Sequence, residues 1–488
     1  MAAPQKNSPV IVWFRQDLRL QDNPALKTAL ETGRAIIPLY ILDDKTPGKW
    51  KHGGASRWWL HNSLTALDAS LQKNGFHPLV FLKGDAFVQL LAFAKKIKAS
   101  SLYWNRYYTP WAIERDTRIK NALKEEDVTA ESFGSFLMFE PWEIKNKAGD
   151  PYKVFTAFSK TCGDKKANIR TPLKYKLSPA KHSLAVTELA LNDLDLMPKI
   201  KWYQGMDSHW TPGEVGAQKR LEGFSSSSVF NYKKDRDYPA IDGVSRLSPH
   251  LHFGEVSPHQ IWHAVSKNME KQKNSNAMAN AEGYLRQLIW REFSYHLLYH
   301  APNLPEKPWN KRFTDFPWQR SDSTFENWKL GKTGYPIVDA GMRELWQTGW
   351  MHNRVRMIVG SFLVKNLLID WRAGEDWFWD TLVDADLGNN ASGWQWIAGC
   401  GADAAPYFRI FNPILQSKKF DPDGVYIRKY VPEIKDLPNN LIHTPWKASP
   451  IELKSANISL GVTYPRPIVD INQSRDRALE AYGQTKPE

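Results

Sequence analysis

The sequence has very few cysteines and no long apolar run, and both absences narrow the classes of protein it can belong to. Cys162 and Cys400 are the only cysteines among 488 residues, which excludes a disulfide framework, a four-cysteine zinc site and a four-cysteine iron–sulfur cluster. No uninterrupted apolar stretch approaches the roughly 18 residues that a membrane span needs. The N-terminal MAAPQKNSPV also lacks the apolar core of an export signal. We therefore expect a cytoplasmic protein that does not enter a membrane.

Acidic residues are too few to balance the basic ones. The chain has 65 Lys and Arg but only 52 Asp and Glu, which gives a formal charge of +13. Such an excess suits a polyanionic partner such as nucleic acid, although many basic proteins bind none. Tryptophan, in contrast, is abundant, with 22 residues. This abundance fits a stacking surface, an aromatic pocket, a redox role or a large helical core.

Short apolar segments alternate with helical patterns in the first third of the chain. The segments are nearly continuous apolar runs, as expected for strands that are covered on both faces. This alternation predicts a parallel, Rossmann-like α/β domain over residues 8–135. The predicted strands lie at 9–14, 35–42, 78–82 and 101–105, and the predicted helices at 55–73, 85–99 and 113–124.

The rest of the chain shows two other patterns. Periodicity is poor from about residue 165 to 225, and we predict an interdomain connector over residues 136–225 that runs over the surface. Apolar residues then recur at the helical period, most clearly over 281–300 and 339–371. We therefore predict an all-helical second domain over residues 226–488.

The segment over residues 380–413 is rich in polar and aromatic side chains and is a candidate ligand site. Asp384 and Asp386 are followed by Asn390 and by Trp394 and Trp396. Carboxylates, amides and indoles in one segment suit a planar ligand with polar edges better than a sugar or a metal. The alternative is a buried loop whose Asp and Asn side chains cap helices. Since the histidines and cysteines show no zinc spacing, we expect no metal.

Two further groups of residues could contact a ligand. Ser245, Arg246 and Ser248 precede a helical pattern, where hydroxyls and backbone amides can hold a phosphate or simply cap the helix. Elsewhere, helix faces combine amide, indole and guanidinium groups at i, i+3 and i+4 spacing, which can read and stack on a base. These faces are formed by Gln287, Trp290 and Arg291 and by Asn353, Arg356 and Met357.

Several sequence blocks together resemble the photolyase/cryptochrome family. The resemblance covers nearly the whole chain, is weakest in the connector, and is greatest to the bacterial members that split cyclobutane pyrimidine dimers. The blocks are VWFRQDLRLQDNPAL (12–26), RDYPAIDGVSRLSPHLHFGEVSP (236–258), WREF (290–293), GKTGYPIVDAGMRELWQTGWMHNRVRM (331–357), NNASGWQW (389–396), DAAPYFRIFNP (403–413) and KKFDPDGVYIRKYVPE (418–433).

The resemblance implies an N-terminal α/β antenna domain followed by a helical domain that binds FAD. It also implies that Asn390 faces the flavin N5 atom, where an Asn favours the reduced anionic flavin that donates the electron for repair. A second, antenna chromophore is also possible, either methenyltetrahydrofolate or a deazaflavin. The implied cofactor-binding residues are Tyr232, Val244, Ser245, Arg246, Leu247, Ser248, Tyr284, Arg356, Asp384, Ala385, Asp386 and Asn390.

The activity implied by the resemblance is the light-driven splitting of cyclobutane pyrimidine dimers in UV-damaged DNA by a monomeric lyase. Trp394, Trp371 and Trp318 match the tryptophans that carry electrons to the photoexcited flavin. Gln287, Asn353, Met357 and Asn390 match the other catalytic positions. The implied DNA-binding residues are Arg236, Gln287, Trp290, Arg291, Asn353, Arg354, Trp396, Arg409 and Gln416.

One position departs from the dimer-repairing pattern. Gln287 stands where these enzymes usually have a Glu, and a Gln there is found in (6-4) photolyases. Asn353 and Met357, however, are the residues typical of dimer repair. Dimer repair is therefore the prediction, and the alternatives are a blue-light photoreceptor without repair activity and a (6-4) photolyase.

Overall fold

The computed structural model describes residues 8–180 and 186–485. They divide into two compact units. The first unit comprises Met1–Lys201, Trp210–Phe230 and Ser245–Pro302. The second comprises Trp202–His209, Asn231–Val244 and Asn303–Glu488. The three predicted domain limits stay a prediction.

A parallel sheet lies in the first unit, and its strand order is β3-β2-β1-β4-β5. The four predicted strands are present, which confirms the α/β prediction. Strand β5 was not predicted because its sequence TAESF is half polar, and it lies at the sheet edge where it pairs only with β4. The strands are β1 (Val10–Phe14), β2 (Ile36–Leu42), β3 (Val80–Lys83), β4 (Ser101–Asn105) and β5 (Thr129–Phe133).

Helices are the main regular elements outside the sheet in the described part of the chain, and a π-helical turn spans Phe362–Asn366. In chain order they are α1 (Pro24–Glu31), α2 (Gly54–Lys73), α3 (Ala86–Lys96), α4 (Pro110–Glu125), α5 (Phe155–Asp164), α6 (Gln204–Asp207), α7 (Glu214–Ser226), α8 (Tyr232–Asp235), α9 (Ser248–His252), α10 (Pro258–Met269), α11 (Ser275–His300), α12 (Asp322–Lys329), α13 (Pro336–Thr348), α14 (Asn353–Ser361), α15 (Trp371–Thr381), α16 (Leu387–Ala398), α17 (Pro413–Phe420), α18 (Val425–Tyr430), α19 (Pro450–Ser455) and α20 (Ile471–Gly483).

One core of the first unit lies between the sheet and its helices. Ile11, Trp13, Ile37 and Leu102 are buried there together with residues of α3 and α4. Because the parallel strands are covered on both faces, their sequences are nearly continuous apolar runs. The predicted connector is partly helical, since it contains α5 and α7.

The second unit is helical, as predicted, but its long apolar pattern over 339–371 is broken into shorter helices. Gly349 ends α13 in the left-handed conformation with φ 66°, which glycine adopts at little cost. A Cβ atom at this position would lie 2.7 Å from Val383 Cγ1, so the chain also needs a glycine for space. Among the residues described, no helix combines the length and apolarity that crossing a membrane requires.

Candidate functional site

An ion pair in the second unit joins two of the predicted flavin-binding residues. The Arg356 Nη2 atom donates to both carboxylate oxygens of Asp384, at 3.0 and 2.9 Å. Arg356 Nε also donates to the Met351 carbonyl at 2.8 Å, which orients the guanidinium from the start of α14. The Asp384 side chain is only 5% exposed. Removal of Arg356 would leave the buried Asp384 carboxylate without its partner, so the pair is costly to break.

The two polar residues that follow lie at the N-terminus of α16. Asp386 Oδ1 accepts hydrogen bonds from the backbone N–H of Asn389 at 2.9 Å and from its Nδ2 at 2.7 Å. Asp386 therefore caps the helix, which is the alternative that the composition had left open. The Asn390 Nδ2 atom donates to the Glu375 carbonyl at 3.1 Å. This bond holds the amide nitrogen against α15, so the Asn390 side-chain oxygen points away from the Glu375 carbonyl.

The three tryptophans predicted to carry electrons differ in burial. Trp394 and Trp371 are 4% and 0% exposed, whereas Trp318 is partly exposed. The Trp394 ring packs edge-on against Phe378, with centroids 4.9 Å apart. A Cβ atom on Gly374 would lie 2.1 Å from Trp394 Cη2, so the indole fits only because residue 374 is a glycine. Trp371 and Trp394 are therefore buried and Trp318 is not, while the electron-transfer role of the three stays a prediction.

The predicted DNA-binding residues of the second unit differ in how strongly they are held. Arg354 Nη2 donates to Asp237 Oδ1 at 2.9 Å, and its guanidinium lies 4.3 Å from the Phe420 ring centroid. Arg236 is 3.9 Å from the same carboxylate. Asn353 Nδ2 and Met357 Sδ are 3.9 Å apart, so the predicted face of α14 is formed. Arg409 is exposed, and Trp396 and Gln416 are partly exposed.

Sequence reasoning missed a buried lysine beneath this surface. Lys365 lies in the π-helical turn, is 1% exposed, and donates to the Arg409 carbonyl at 3.2 Å. Burial lowers the pKa of Lys365 to about 8. A π-helical turn leaves no periodic signal in the sequence, so the burial of Lys365 could not be inferred from the pattern.

The first unit contains the predicted phosphate-binding loop. Arg246 adopts a left-handed backbone with φ 50°, which is unusual for a residue other than glycine. Ser245 Oγ accepts a hydrogen bond from the Leu247 N–H at 3.3 Å, just before α9 begins at Ser248. Such strained backbone is concentrated at functional sites. The hydroxyls and this loop fit a phosphate-bearing cofactor, whereas Val244 offers no hydroxyl.

The remaining predicted flavin residues are aromatic or apolar. Tyr284 is 5% exposed on α11 and packs against Phe224 at 4.6 Å in the first unit. In the second unit Tyr232 is 7% exposed and Ala385 is 2% exposed. The first unit thus offers hydroxyls and a buried ring, and the second offers carboxylates, an amide and a buried ring; each set consists of residue types that suit a part of FAD.

Helix α11 presents Gln287, Trp290 and Arg291 in different surroundings. Gln287 Nε2 donates to the Gly283 carbonyl of its own helix at 3.2 Å. Trp290 is partly exposed. Arg291, in contrast, is 8% exposed and donates to the Phe136 carbonyl at 2.7 Å. Its surroundings do not support the predicted DNA contact, because its guanidinium is used to hold the segment after β5.

Glu292 is a buried acid that the sequence analysis did not single out. Its Oε2 atom accepts hydrogen bonds from the N–H groups of Met138 and Phe139, at 2.9 and 3.1 Å. Burial raises the pKa of Glu292 to about 7, although Arg291 and the two N–H groups favour the charged form. An acidic residue beside Arg291 gives no sequence signal of burial, since such neighbours are common on exposed helices.

The raised pKa of Glu292 has a consequence for stability that can be measured. The folded protein keeps this proton up to about pH 7, whereas the ordinary pKa of a glutamate is 4.5. The free energy of unfolding therefore falls between about pH 4.5 and pH 7, by on the order of 3 kcal/mol, and is constant above that range. We expect Glu292→Gln to remove this dependence. Urea unfolding of both proteins at pH 5 and pH 8 measures it, and parallel changes in the two would contradict it.

Comparison with known proteins identifies the family of the chain. Residues 10–177 match the family model described as DNA photolyase, and residues 284–484 match the FAD binding domain of DNA photolyase. The deoxyribodipyrimidine photo-lyase of Agrobacterium fabrum is 47% identical over 484 residues, which cover 99% of each chain. The chain belongs to the photolyase and cryptochrome family. The predicted family and its FAD-binding domain are thus confirmed.

Two further relatives show which members of the family this chain is similar to. The crystal structure of a bacterial class III photolyase from Agrobacterium tumefaciens matches with a TM-score of 0.93 and 46% identity, covering 99% of both chains. Cryptochrome-1 of Arabidopsis thaliana is 38% identical over 481 residues, which cover 97% of this chain and 70% of the plant protein. The predicted α/β domain followed by a helical domain is confirmed by the solved fold.

Proposed function

We propose that this photolyase-family chain repairs UV-damaged DNA by splitting cyclobutane pyrimidine dimers with light. The observation that carries the proposal is the 47% identity, over 99% of each chain, to a relative named deoxyribodipyrimidine photo-lyase. FAD supplies the electron that light transfers to the lesion. The two carbon–carbon bonds of the cyclobutane break and the electron returns, so no net oxidation occurs and the enzyme is a lyase.

The residues of the second unit hold the flavin and prepare it for repair in this proposal. Arg356 and Asp384 form a preorganised ion pair that would lie near the isoalloxazine ring. Asn390 would present its amide to the flavin N5 atom, and its bond to the Glu375 carbonyl restrains the rotation of that amide. An amide has no carboxyl proton to give, which favours the anionic donor. Trp394, Trp371 and Trp318 supply electrons when the flavin arrives oxidised.

The lesion contacts are proposed from exposed and half-buried side chains. Trp290 and Trp396 stack on the extruded dimer, whose weak pairing makes extrusion cheaper than for an intact base pair. Gln287, Asn353 and Met357 contact its polar edges, while Arg236, Arg354 and Arg409 lie near phosphates. Since the charge of +13 favours a polyanion, binding should weaken as salt increases. A second, antenna chromophore in the α/β domain, and a monomeric state, stay predictions.

A blue-light photoreceptor is the second candidate, and two observations keep it open. One is the 38% identity to a plant cryptochrome. The other is Gln287, whose Nε2 is bonded to its own helix and whose amide carries no charge. A photoreceptor without repair activity would bind FAD and respond to light but leave dimers intact.

Photoreactivation of a defined substrate tests the proposal. The FAD-loaded, reduced protein is mixed with an oligonucleotide that holds one thymine dimer and is illuminated with blue light, with a dark sample and a (6-4) lesion as controls. We expect the absorbance of intact thymine to recover only in the light and only with the dimer. Recovery with the (6-4) lesion alone would reassign the substrate. No recovery with either lesion, while the flavin is bound and reduced, would favour the photoreceptor.

A further inference from the structure

An aromatic residue of the predicted connector lies directly against Trp290 in the first unit. The Phe155 and Trp290 rings are stacked with centroids 3.4 Å apart and planes inclined by 7°. Phe155 is 1% exposed, whereas Trp290 is partly exposed. One face of the indole is therefore covered by protein, and a base can stack only on the opposite face.

Other contacts hold this pair from the side. Phe293 packs edge-on against both rings, at 5.8 Å from Phe155 and 5.9 Å from Trp290. The Arg286 guanidinium lies 5.1 Å from the Phe155 ring centroid. Trp290 is thus fixed by a ring on its face and a ring at its edge. Such fixing lowers the conformational entropy that is lost when a ligand stacks.

Phe155 owes its place to the helix that carries Trp290. The connector between β5 and α5 is bonded to α11 by Arg291 at the Phe136 carbonyl and by Glu292 at the Met138 and Phe139 N–H groups. The Tyr152 N–H then donates to His296 Nε2 at 3.0 Å, three residues before Phe155.

The chemical state of His296 supports this anchor. Burial lowers the pKa of His296 to about 4, so the ring is neutral at pH 7 and its Nε2 atom can accept the Tyr152 bond. Its Nδ1 atom lies 3.3 Å from the Pro141 carbonyl, to which the neutral ring can donate. Both bonds join α11 to the part of the connector that precedes Phe155, so they help to fix where the chain enters α5 at Phe155.

We propose that Phe155 is a positioning residue for damage recognition: it braces Trp290 so that the dimer stacks on one defined face of the indole. This inference rests on the proposed function, because it assumes that Trp290 contacts the dimer. Phe155 itself touches no DNA in the proposal and acts through Trp290.

Binding in the dark tests this role apart from the photochemistry. The FAD-loaded protein is titrated with duplexes that do or do not contain one thymine dimer, and the preference is the ratio of the two dissociation constants. We expect Phe155→Leu to lower the preference about tenfold, the scale of a weakened stacking contact, with less than about a twofold change for undamaged duplex. Phe158→Leu is the matched control, since Phe158 is also 1% exposed on α5 but packs on Phe293 and His296.

A double variant separates bracing of Trp290 from general destabilisation. If Phe155 acts through Trp290, Phe155→Leu should have no further effect once Trp290→Ala is present. Additive losses, or an equal loss in Phe158→Leu, would overturn the inference. Phe155→Met, whose unbranched and flexible side chain can adapt to the site but has no flat face, replaces the Leu variant if that one does not bind FAD. If the wild-type protein bound the damaged and the undamaged duplex equally well, that result would refute the proposed function itself, without any variant.

Discussion

Trp394→Phe is expected to slow light-driven reduction of the bound, oxidised flavin by on the order of a hundredfold, which corresponds to about 3 kcal/mol of activation free energy. A phenyl ring fills most of the space of the indole but is far harder to oxidise. Trp394 is 4% exposed and packs on Phe378 and Gly374, so the smaller ring keeps the surrounding packing. Absorbance of the oxidised flavin under blue light, with an external reductant in the buffer, measures the rate.

Trp328→Phe is the matched control for this experiment. Trp328 is also buried and lies 6.3 Å from Trp394, edge-on, but it is not among the tryptophans predicted to carry electrons. Its Nε1 donates to the Val359 carbonyl at 3.1 Å, so its replacement lowers stability while photoreduction continues. Chemical reduction with dithionite should restore dimer splitting in Trp394→Phe. If photoreduction were equally fast in both variants, Trp394 would not be the first donor.

Asn390→Asp is expected to lower the repair rate by about tenfold or more, the scale on which a misplaced proton-transfer group acts. The substitution replaces the Nδ2 donor by an oxygen that would lie near the Glu375 carbonyl, at the 3.1 Å now spanned by a hydrogen bond. Two oxygens at that distance repel each other unless the new carboxyl is protonated. The variant therefore carries an acidic proton that the amide lacks, and rotation of the carboxyl can bring this proton to the oxygen proposed to face the flavin N5 atom, which disfavours the anionic donor.

The same change elsewhere on α16 provides the control for Asn390→Asp. Gln395 Nε2 donates to the Leu304 and Lys307 carbonyls at 2.6 and 2.9 Å, so Gln395→Glu also turns an amide donor toward carbonyl oxygens. Gln395 is not a predicted flavin residue. We expect Gln395→Glu to lower stability but to leave the absorbance spectrum of the reduced, illuminated flavin unchanged. A repair rate that is unaffected in Asn390→Asp would contradict the role assigned to the amide.

The sheet could be predicted from the sequence because burial on both faces makes parallel strands apolar throughout. Strand β5 could not, since its outer face is open and its sequence is mixed. The helical pattern over 339–371 predicted helical structure correctly, but it did not show where one helix ends and the next begins. These breaks depend on Gly349 and on the π-helical turn, where tertiary contacts decide the backbone.

Most residues of the candidate site were predicted from the resemblance to the family, and fewer from the spacing and chemistry of the residues themselves. Spacing alone placed Asp384, Asp386 and Asn390 together, and their contacts in the second unit agree with that. Burial of Arg291 and Glu292 could not be inferred, because both are charged and neither breaks the helical pattern. Phe155 had no signal at all: it lies 135 residues from Trp290 in the chain, and only the fold brings the two rings together.

The contact between Gly374 and Trp394 restricts how this protein can diverge. A glycine on α15 has no conformational reason to be there, because its backbone is that of an ordinary helix. It is needed because the indole occupies the volume of a side chain. Residue 374 can therefore become larger only if the ring at position 394 becomes smaller or moves. A family member with a larger residue at 374 should carry a smaller ring, or a displaced one, at the position of Trp394.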